Sequence, residues 1–321
     1  MGLLRSQKEE PRIKAEVYLK KARYNAGQVV SGFVECDVER PIKGIKDIVI
    51  TLKGQVECTN VKAKEKSVQA KEFYDFVPIH FDQHILKEFP NNLWQVVGKE
   101  QFQFEFMLPA NLASTSKTEA HTENDDAYAD IVYGVHLRVT MKNGKQFSLP
   151  TNGNFDVVAM PPHNIQEDVE THSLNIKEMK LKNLGVIHAK VNILNAYPAN
   201  QIGSIILEVL NDSKTDVKAI EVAFFEMVEI TIKGRKRAQE RCYFKESFAG
   251  VASGDVFGYM NEKYPSREIE FRTADSCPDI QVKKCINVHH FVTLKFIMKN
   301  SVVNHPVIKR PLTVYYESVV D

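Results

Sequence analysis

Hydrophobic and polar residues alternate with a period of two along most of the chain, whereas the three-to-four spacing of amphipathic helices is scarce. In the first half the alternation predicts six strands: RIKAEVYL, QVVSGFVECDV, IKDIVITLKGQVEC, KEQFQFEFML, IVYGVHLRVTM and GNFDVVAM. In the second half it predicts seven: GVIHAKVNIL, QIGSIILEVLN, VKAIEVAFFEMVEITIKG, ERCYFKESF, REIEFRT, NVHHFVTLKFIMKN and IKRPLTVYYESV. A helical turn or two is expected only in HILKEFPNNLWQVV and LPANLAST.

A polar segment with two adjacent prolines, Pro161 and Pro162, separates the two sets of strands. Such a segment is typical of a linker between domains. Six or seven strands in each half fit an antiparallel β-sandwich. The sequence therefore predicts an all-β fold of two tandem antiparallel β-sandwich domains with little helix. The expected division is an N-terminal segment 1–12, a first sandwich 13–160, a linker 161–173 and a second sandwich 174–321.

One turn with its following strand is present twice in the chain. The stretch YNAGQVVSGFVEC, 24–36, is repeated by YPANQIGSIILEV, 197–209, with five identities in thirteen positions. In each copy a residue suited to a positive φ, Gly27 or Asn200, follows the shared alanine. The repeat predicts two related domains, and a chance similarity between two turns is the alternative.

These segments resemble the arrestin family. YNAGQVVSGFVECDVERPIKGIKDIVITLKGQ resembles the arrestin N-domain signature, FQFEFMLPANLASTS its aromatic strand ending in Leu-Pro, and ADIVYGVHLRVTM the next strand. LGVIHAKVNILNAYPANQIGSIILEVLNDSKTDVKAIEVAFFE resembles the opening of the C-domain, and VHHFVTLKFIMKN and PVIKRPLTV its last two strands. The resemblance covers most of residues 13–316. It is to the α-arrestins, the arrestin-domain-containing proteins, and more distantly to the arrestin-fold subunit of retromer.

The resemblance implies a non-enzymatic adaptor or scaffold. Such a protein binds cytoplasmic tails of membrane proteins, phosphorylated or not, and couples them to endocytic or endosomal trafficking and signalling. The alternative is a retromer-like coat subunit in endosomal cargo sorting and protein transport. The sequence departs from α-arrestins in having no Pro-Pro-x-Tyr motif. Visual-type arrestins hold a buried charged core between their domains; here the second half offers Arg272, Asp275 and Asp279, and the first half no matching partner.

Composition and charge exclude some classes of protein. The 42 Lys and Arg residues nearly balance the 41 Asp and Glu residues, which leaves no overall basic field for nucleic acid. No apolar run approaches the ~20 residues of a membrane span, and no secretory leader follows the first methionine. The five cysteines form no CxxC pair. We therefore expect a cytoplasmic protein, and the resemblance implies peripheral association with the plasma or endosomal membrane.

Motifs of catalysis and metal binding are missing from the sequence. It contains no GxSxG, P-loop or HExxH motif. His80 and His84 would share a strand face about 13 Å apart, too far for one metal ion. His289 and His290 point to opposite faces of a strand and are interpreted as ordinary strand residues. No catalytic residue, metal or cofactor is expected.

Two basic clusters are candidate binding sites. The smaller contains Lys20, Lys21 and Arg23 on the first strand, where the resemblance implies contact with phosphates of a partner. The larger, in KGRKRAQER, is expected at a hairpin tip, where its cations would attract the phosphates of inositol lipids or of a phosphorylated tail. A solvated, charged loop is the alternative. Its members are Lys233, Arg235, Lys236, Arg237 and Arg241.

Both ends of the chain carry short motifs. MGLLRS fits the N-myristoylation pattern with Gly2 as acceptor, or matches it by chance. A single acyl chain binds membranes marginally, so a second contact such as the larger basic cluster would be needed. YESV, 316–319, fits a tyrosine-x-x-hydrophobic sorting signal or forms the end of the last strand.

Overall fold

The computed structural model of the chain describes residues 13–64, 67–122, 125–178, 182–258, 266–273, 277–300 and 302–318. Within these ranges the backbone forms strands and no helix. The strands of the first half are β1 (Ile13–Leu19), β2 (Arg23–Asn25), β3 (Val29–Val38), β4 (Ile42–Lys43), β5 (Ile45–Lys64), β6 (Ser67–Glu88), β7 (Leu93–Trp94), β8 (Gly98–Met107), β9 (Ser116–His121), β10 (Asp125–Met141) and β11 (Gln146–Val158). Those of the second half are β12 (Glu167–Glu178), β13 (Lys182–Leu194), β14 (Ala196–Pro198), β15 (Ile202–Ser213), β16 (Val217–Ile232), β17 (Arg235–Ala249), β18 (Val256–Phe257), β19 (Arg267–Arg272), β20 (Ile280–Val282), β21 (Ile286–Met298) and β22 (Val307–Tyr315).

The sheets of the two halves have matching topologies. In the first half a sheet of order β1-β3-β8 accompanies a sheet of order β2-β11-β10-β5-β6, with β9 on β10. In the second half β13-β15-β19 matches the first sheet, and β14-β22-β21-β16-β17, with β20 on β21, matches the second. No sheet within the described ranges mixes strands of the two halves. The all-β prediction and its two sets of sheets are confirmed.

The tyrosine turn has the same hydrogen bonds in both halves. Tyr24 and Tyr197 are buried, and each hydroxyl accepts a bond from a backbone N–H three residues earlier. The donors are Lys21 and Leu194, and both bonds are 3.1 Å long. The repeated tyrosine therefore closes the same turn in both halves.

The residues that follow the tyrosine join this turn to the last strand of the same half. Ala26 N–H donates to a carbonyl at the end of β11 (2.8 Å), and Ala199 N–H donates to a carbonyl at the end of β22 (2.7 Å). The next residue has a positive φ in both copies, 83° at Gly27 and 62° at Asn200. Asparagine tolerates this conformation better than most residues do, so it replaces glycine at small cost.

Two local expectations are wrong. Neither HILKEFPNNLWQVV nor LPANLAST contains a helix; the first spans the end of β6, a turn at Asn92 (φ 51°) and β7, and the second is irregular chain. The polar segment after Pro162 does not stay unpaired through residue 173, because β12 begins at Glu167. Its acidic side chains suit a half-exposed edge strand, where Asp168 and Glu170 pair with the buried Arg310 of β22.

The hydrophobic core of the first half includes residues of the second half. Along one face of β16, Val222 and Phe224 pack in the core of the second half, whereas Val228 and Ile230 belong to the core of the first. On β21, likewise, Val292 packs in the core of the second half and Val288 in the core of the first. These two strands therefore extend beyond their own sandwich and pack against the first one.

Candidate functional site

The outer edge of β1 has no partner strand among the described residues. β1 is the terminal strand of its sheet and pairs with β3 alone. The N–H of Lys20 donates to β3, whereas the N–H of Val17 donates to the side-chain oxygen of Asn152 at 3.2 Å. Because backbone groups alternate along an antiparallel strand, Ile13, Ala15 and Leu19 direct theirs to the open edge. An extended peptide would find hydrogen-bonding groups there.

The smaller basic cluster follows this edge. Lys20, Lys21 and Arg23 are exposed, and Arg23 forms an exposed ion pair with Asp156 at 3.4 Å. Lys20 also lines a groove of about 480 Å³ beside the stacked rings of Tyr18 and Phe33. Open backbone groups, cations and an aromatic surface thus lie next to one another at the end of β1.

The second half shows the same position without these features. There β12 covers the outer edge of β13, the counterpart of β1, over its whole length. At the repeat spacing of 173 positions the basic residues are replaced by apolar ones: Ile193, Leu194 and Ala196. The tyrosine turn consequently does not require the cations of the first copy in order to fold.

The larger basic cluster lies mostly along a strand. The tip between β16 and β17 is Lys233-Gly234, with φ of 49° and 77°, and the remaining members lie within β17. Lys236 is paired with Glu229 at 2.5 Å, which neutralises part of the cluster. The prediction that all five cations lie at a hairpin tip is therefore wrong. Only Lys233 lies in the two-residue turn, because β17 begins directly after it.

Arg241 lies apart from the tip, between the two halves of the molecule. Its guanidinium donates to the carbonyl of Glu119 on β9 at 2.7 Å and to Glu226 on β16 at 3.4 Å. Gln239, two residues earlier, accepts the backbone N–H of His121 at 3.0 Å. The edges of β9 and β17 are thus joined through side chains rather than by a ladder of backbone bonds.

A buried acid–base cluster occupies the point where β16 and β21 pass from one core to the other. Glu226 and His290 are directly paired across these strands, are 1% and 0% exposed, and approach to 3.5 Å. His290 Nδ1 lies 2.7 Å from Asp279, and Tyr243 donates to Glu226 at 3.1 Å. Two buried charges are tolerated here because each has several partners.

The electrostatics of the cluster favour its charged form. Burial opposes ionisation of Glu226, yet His290, Arg241 and Tyr243 outweigh it and hold the pKa of Glu226 below its ordinary value. Burial likewise opposes protonation of His290, but Asp279 and Glu226 raise its pKa above the ordinary 6.5. Both shifts favour the imidazolium–carboxylate form of the pair.

The interpretation of His290 as an ordinary strand residue is wrong. His289 and His290 do point to opposite faces, but the face of His290 is the buried junction between the two halves. The first half does contribute to this charged cluster, through Glu119, whereas Arg272 is exposed on β19 and Asp275 lies outside the described residues. The sequence signal for this cluster was one glutamate on an otherwise apolar face of β16 and one histidine on an otherwise apolar face of β21.

Of the two terminal motifs, one can be placed. Gly2 lies outside the described residues, as does Val319. β22 ends at Tyr315, and the next residue, Tyr316, is half-buried in a cleft of about 390 Å³ that Arg23 and Asp156 of the first half also line.

The described ranges contain no group of three or more His, Cys, Asp or Glu residues arranged to hold a metal ion. They also contain no helix with the length and apolar character needed to cross a membrane.

Comparison with known proteins bears on the first half of the chain. Residues 15–162 match the family model described as Arrestin (or S-antigen), N-terminal domain. No curated protein sequence matched the chain. The matched range covers β1 to β11, the half that carries the open edge and the smaller basic cluster. Residues 15–162 are therefore similar to an arrestin N-terminal domain, and the all-β fold of the chain is consistent with this similarity.

Proposed function

We propose that this protein is a non-enzymatic adaptor that binds cytoplasmic tails of membrane proteins along the open edge of β1 and couples them to endocytic or endosomal trafficking and signalling. The arrestin N-terminal domain supports an arrestin-like adaptor role in general, and the family is generally non-enzymatic. Arrestin-fold proteins generally bind membrane-protein tails and trafficking machinery. The proposed location is the cytoplasm, at the surface of the plasma or endosomal membrane.

The observation that carries the proposal is the exposed edge of β1 with Lys20, Lys21 and Arg23 at its end. The pairing of β12 with β13 illustrates how a strand is accommodated at the equivalent edge of the second half. A bound tail would add its backbone to β1 in the same manner. Phosphates on the tail would then reach the basic residues, where charge-assisted bonds are stronger than neutral ones.

A peptide-binding experiment tests this proposal. The double variant Lys20→Glu, Lys21→Glu should bind a phosphorylated extended peptide about tenfold more weakly than the unchanged protein, because cations become anions beside the phosphates. The matched control is Lys142→Glu, Lys145→Glu, which reverses two exposed cations of the hairpin between β10 and β11 and should bind normally. Equal affinity for all three proteins would exclude this site.

Membrane contact is proposed to come from the acylated Gly2 together with the cluster around the β16–β17 turn. The triple variant Arg235→Glu, Lys236→Glu, Arg237→Glu should no longer sediment with phosphoinositide liposomes, since surface attraction depends on clustered cations. Unchanged sedimentation would remove the cluster from the proposal. Mass spectrometry of the natural N-terminal peptide tests Gly2, and a free or acetylated terminus would exclude acylation.

A retromer-like coat subunit is the second candidate. The hydrophobic core shared by the two halves favours it, because a large apolar interface holds domains in a fixed arrangement. The two functions differ in their dependence on phosphate. After phosphatase treatment, an adaptor reading phosphorylated tails should release a captured partner, whereas a coat subunit should retain it.

A further inference from the structure

Among the described residues, β6 has a neighbouring strand on one side only, so its other edge is open on the second sheet of the first half. It is the terminal strand of the order β2-β11-β10-β5-β6. Its segment His80–Ile85 pairs without irregularity with β5, between two β-bulges. On the outer face of this segment Phe81 is 57% exposed and Ile85 is 55% exposed. Bulky apolar side chains on an unpaired edge strand are a template for pairing with another strand.

The backbone of this segment is oriented for such pairing. Lys283 of the second half donates to the carbonyl of Pro78 at 2.6 Å, which limits the open edge at one end. The N–H of Gln83 bonds to the side chain of Asp82 at 2.8 Å. Backbone groups alternate along a strand, so Phe81, Gln83 and Ile85 direct theirs to the open edge.

The side chains of the segment complement a second copy of themselves. When two copies pair antiparallel about a two-fold axis at Gln83, each Phe81 lies opposite the partner copy's residue 85. Each Asp82 then lies opposite residue 84 of the partner copy, so that a carboxylate meets an imidazole. Asp82 and His84 share a face, are exposed, and lie 3.4 Å apart within one chain. Shifting the axis to Asp82 would place two carboxylates together, which is unfavourable.

We propose that β6 forms a symmetric, antiparallel strand pair with a second copy of this chain, centred on Gln83. The pair would exchange about six backbone hydrogen bonds between Phe81, Gln83 and Ile85 of the two copies. Such an interface is isologous, because the same patch is used twice. Its short length makes the dimer weak and dependent on concentration.

The charged pair gives this edge its selectivity. A foreign apolar strand at β6 would desolvate Asp82 without supplying a partner, which disfavours that pairing. A second copy supplies His84 for each Asp82. In the monomer the N–H of Gln83 donates to the side chain of Asp82. In the dimer this N–H would donate to the backbone of the partner copy instead.

Sedimentation equilibrium of the full chain across the micromolar range tests the proposal. The unchanged protein should shift from monomer to dimer, and Asp82→Arg should weaken the dimer at least about tenfold, because a cation then faces the partner's histidine. Adding His84→Asp to Asp82→Arg should restore dimerisation, since each arginine again faces a carboxylate. A monomer at every concentration, or a dimer indifferent to Asp82→Arg, would overturn the proposal.

A cross-linking experiment tests the register independently of affinity. In a Cys242→Ser background, which removes the exposed cysteine, Gln83→Cys should form a disulfide-linked dimer under mild oxidation. The two Cα atoms would lie about 5.5 Å apart, as a disulfide requires. The matched control is Gln103→Cys on β8, an exposed glutamine on the edge strand of the other sheet. Cross-linking of the control alone, or of neither variant, would contradict the proposed axis.

Discussion

The two sandwiches are built alike and differ at one edge. Both close a turn with a buried tyrosine and tie it to their last strand by the same backbone bonds. The second covers its first long strand with β12, whereas no described strand pairs with the outer edge of β1 in the first, and Lys20, Lys21 and Arg23 lie at the end of that strand. Because the second copy folds with apolar residues there, the cations of the first are not a requirement of the turn. The comparison therefore assigns the buried tyrosines to the fold and leaves the three cations of the first half available for binding.

The largest expected effect is on the shared turn itself. Tyr24→Ala and Tyr197→Ala should each lower the free energy of unfolding by about 3–5 kcal/mol, because each removes a buried ring and leaves a cavity. Urea unfolding followed by circular dichroism measures both. A large loss in one copy and almost none in the other would show that the two turns are not equivalent structural elements.

The next effect concerns the junction of the two halves and depends on pH. The raised pKa of His290 stabilises the folded state below the ordinary 6.5, and this contribution is lost as pH rises through the raised pKa. The lowered pKa of Glu226 stabilises it above the ordinary 4.5, and this is lost as pH falls through the lowered pKa. The cluster should therefore stabilise the protein most between pH 4.5 and 6.5.

The variant His290→Gln tests this window. It should reduce the free energy of unfolding by about 3 kcal/mol near pH 6, since it leaves Glu226 buried beside a neutral group. The loss should become smaller as pH rises through the raised pKa of His290, because the histidine then gives up its proton. His121→Gln is the matched control, because His121 also pairs with carboxylates but is exposed. A loss independent of pH would mean that His290 contributes by packing alone.

A smaller effect is expected where β12 covers the second sandwich. Arg310 is buried on β22 and pairs with Asp168 and Glu170 of β12. Arg310→Leu should destabilise the protein by about 1–2 kcal/mol and speed amide hydrogen exchange along β12, because the strand loses its charged attachment. Protection of β12 equal to that of the unchanged protein would show that the ladder with β13 suffices to hold it.

The smallest effect is expected at the open edge. Lys20→Ala, Lys21→Ala should change the free energy of unfolding by less than about 0.5 kcal/mol, because both side chains are exposed. Chemical denaturation measures this together with the peptide-binding assay. A stability loss comparable to that of Tyr24→Ala would place the lysines among the residues that build the fold, and the contrast between the two copies would fail.

Much of the fold could be predicted from local patterns. Strict alternation identified most of the long strands but missed β6, and the repeated Tyr-x-Ala turn indicated that the two halves are related. The acidic edge of β12 was missed because Asp168 and Glu170 resemble linker residues until Arg310, 142 positions from Asp168, is known to face them. Local polarity alone does not distinguish a solvated linker from a half-exposed edge strand.

The candidate site was predicted less completely. The smaller basic cluster was identified, but whether β1 has a neighbour depends on strand order. His290 and Glu226 could not be recognised as a pair, because they are 64 positions apart and meet only through the register of β16 and β21. Arg241 was grouped with the nearby cations, although its contacts lie on β9 of the other half.

By itself the sequence determined most of the long strands, the repeated turn and the all-β class, because side-chain alternation and turn chemistry act over a few neighbouring residues. Only the tertiary structure decided which strands lie at edges and which charges are buried between the two halves. The physical reason is that burial and pairing depend on residues far apart in the chain. Their juxtaposition is set by sheet order and register, which no local pattern encodes.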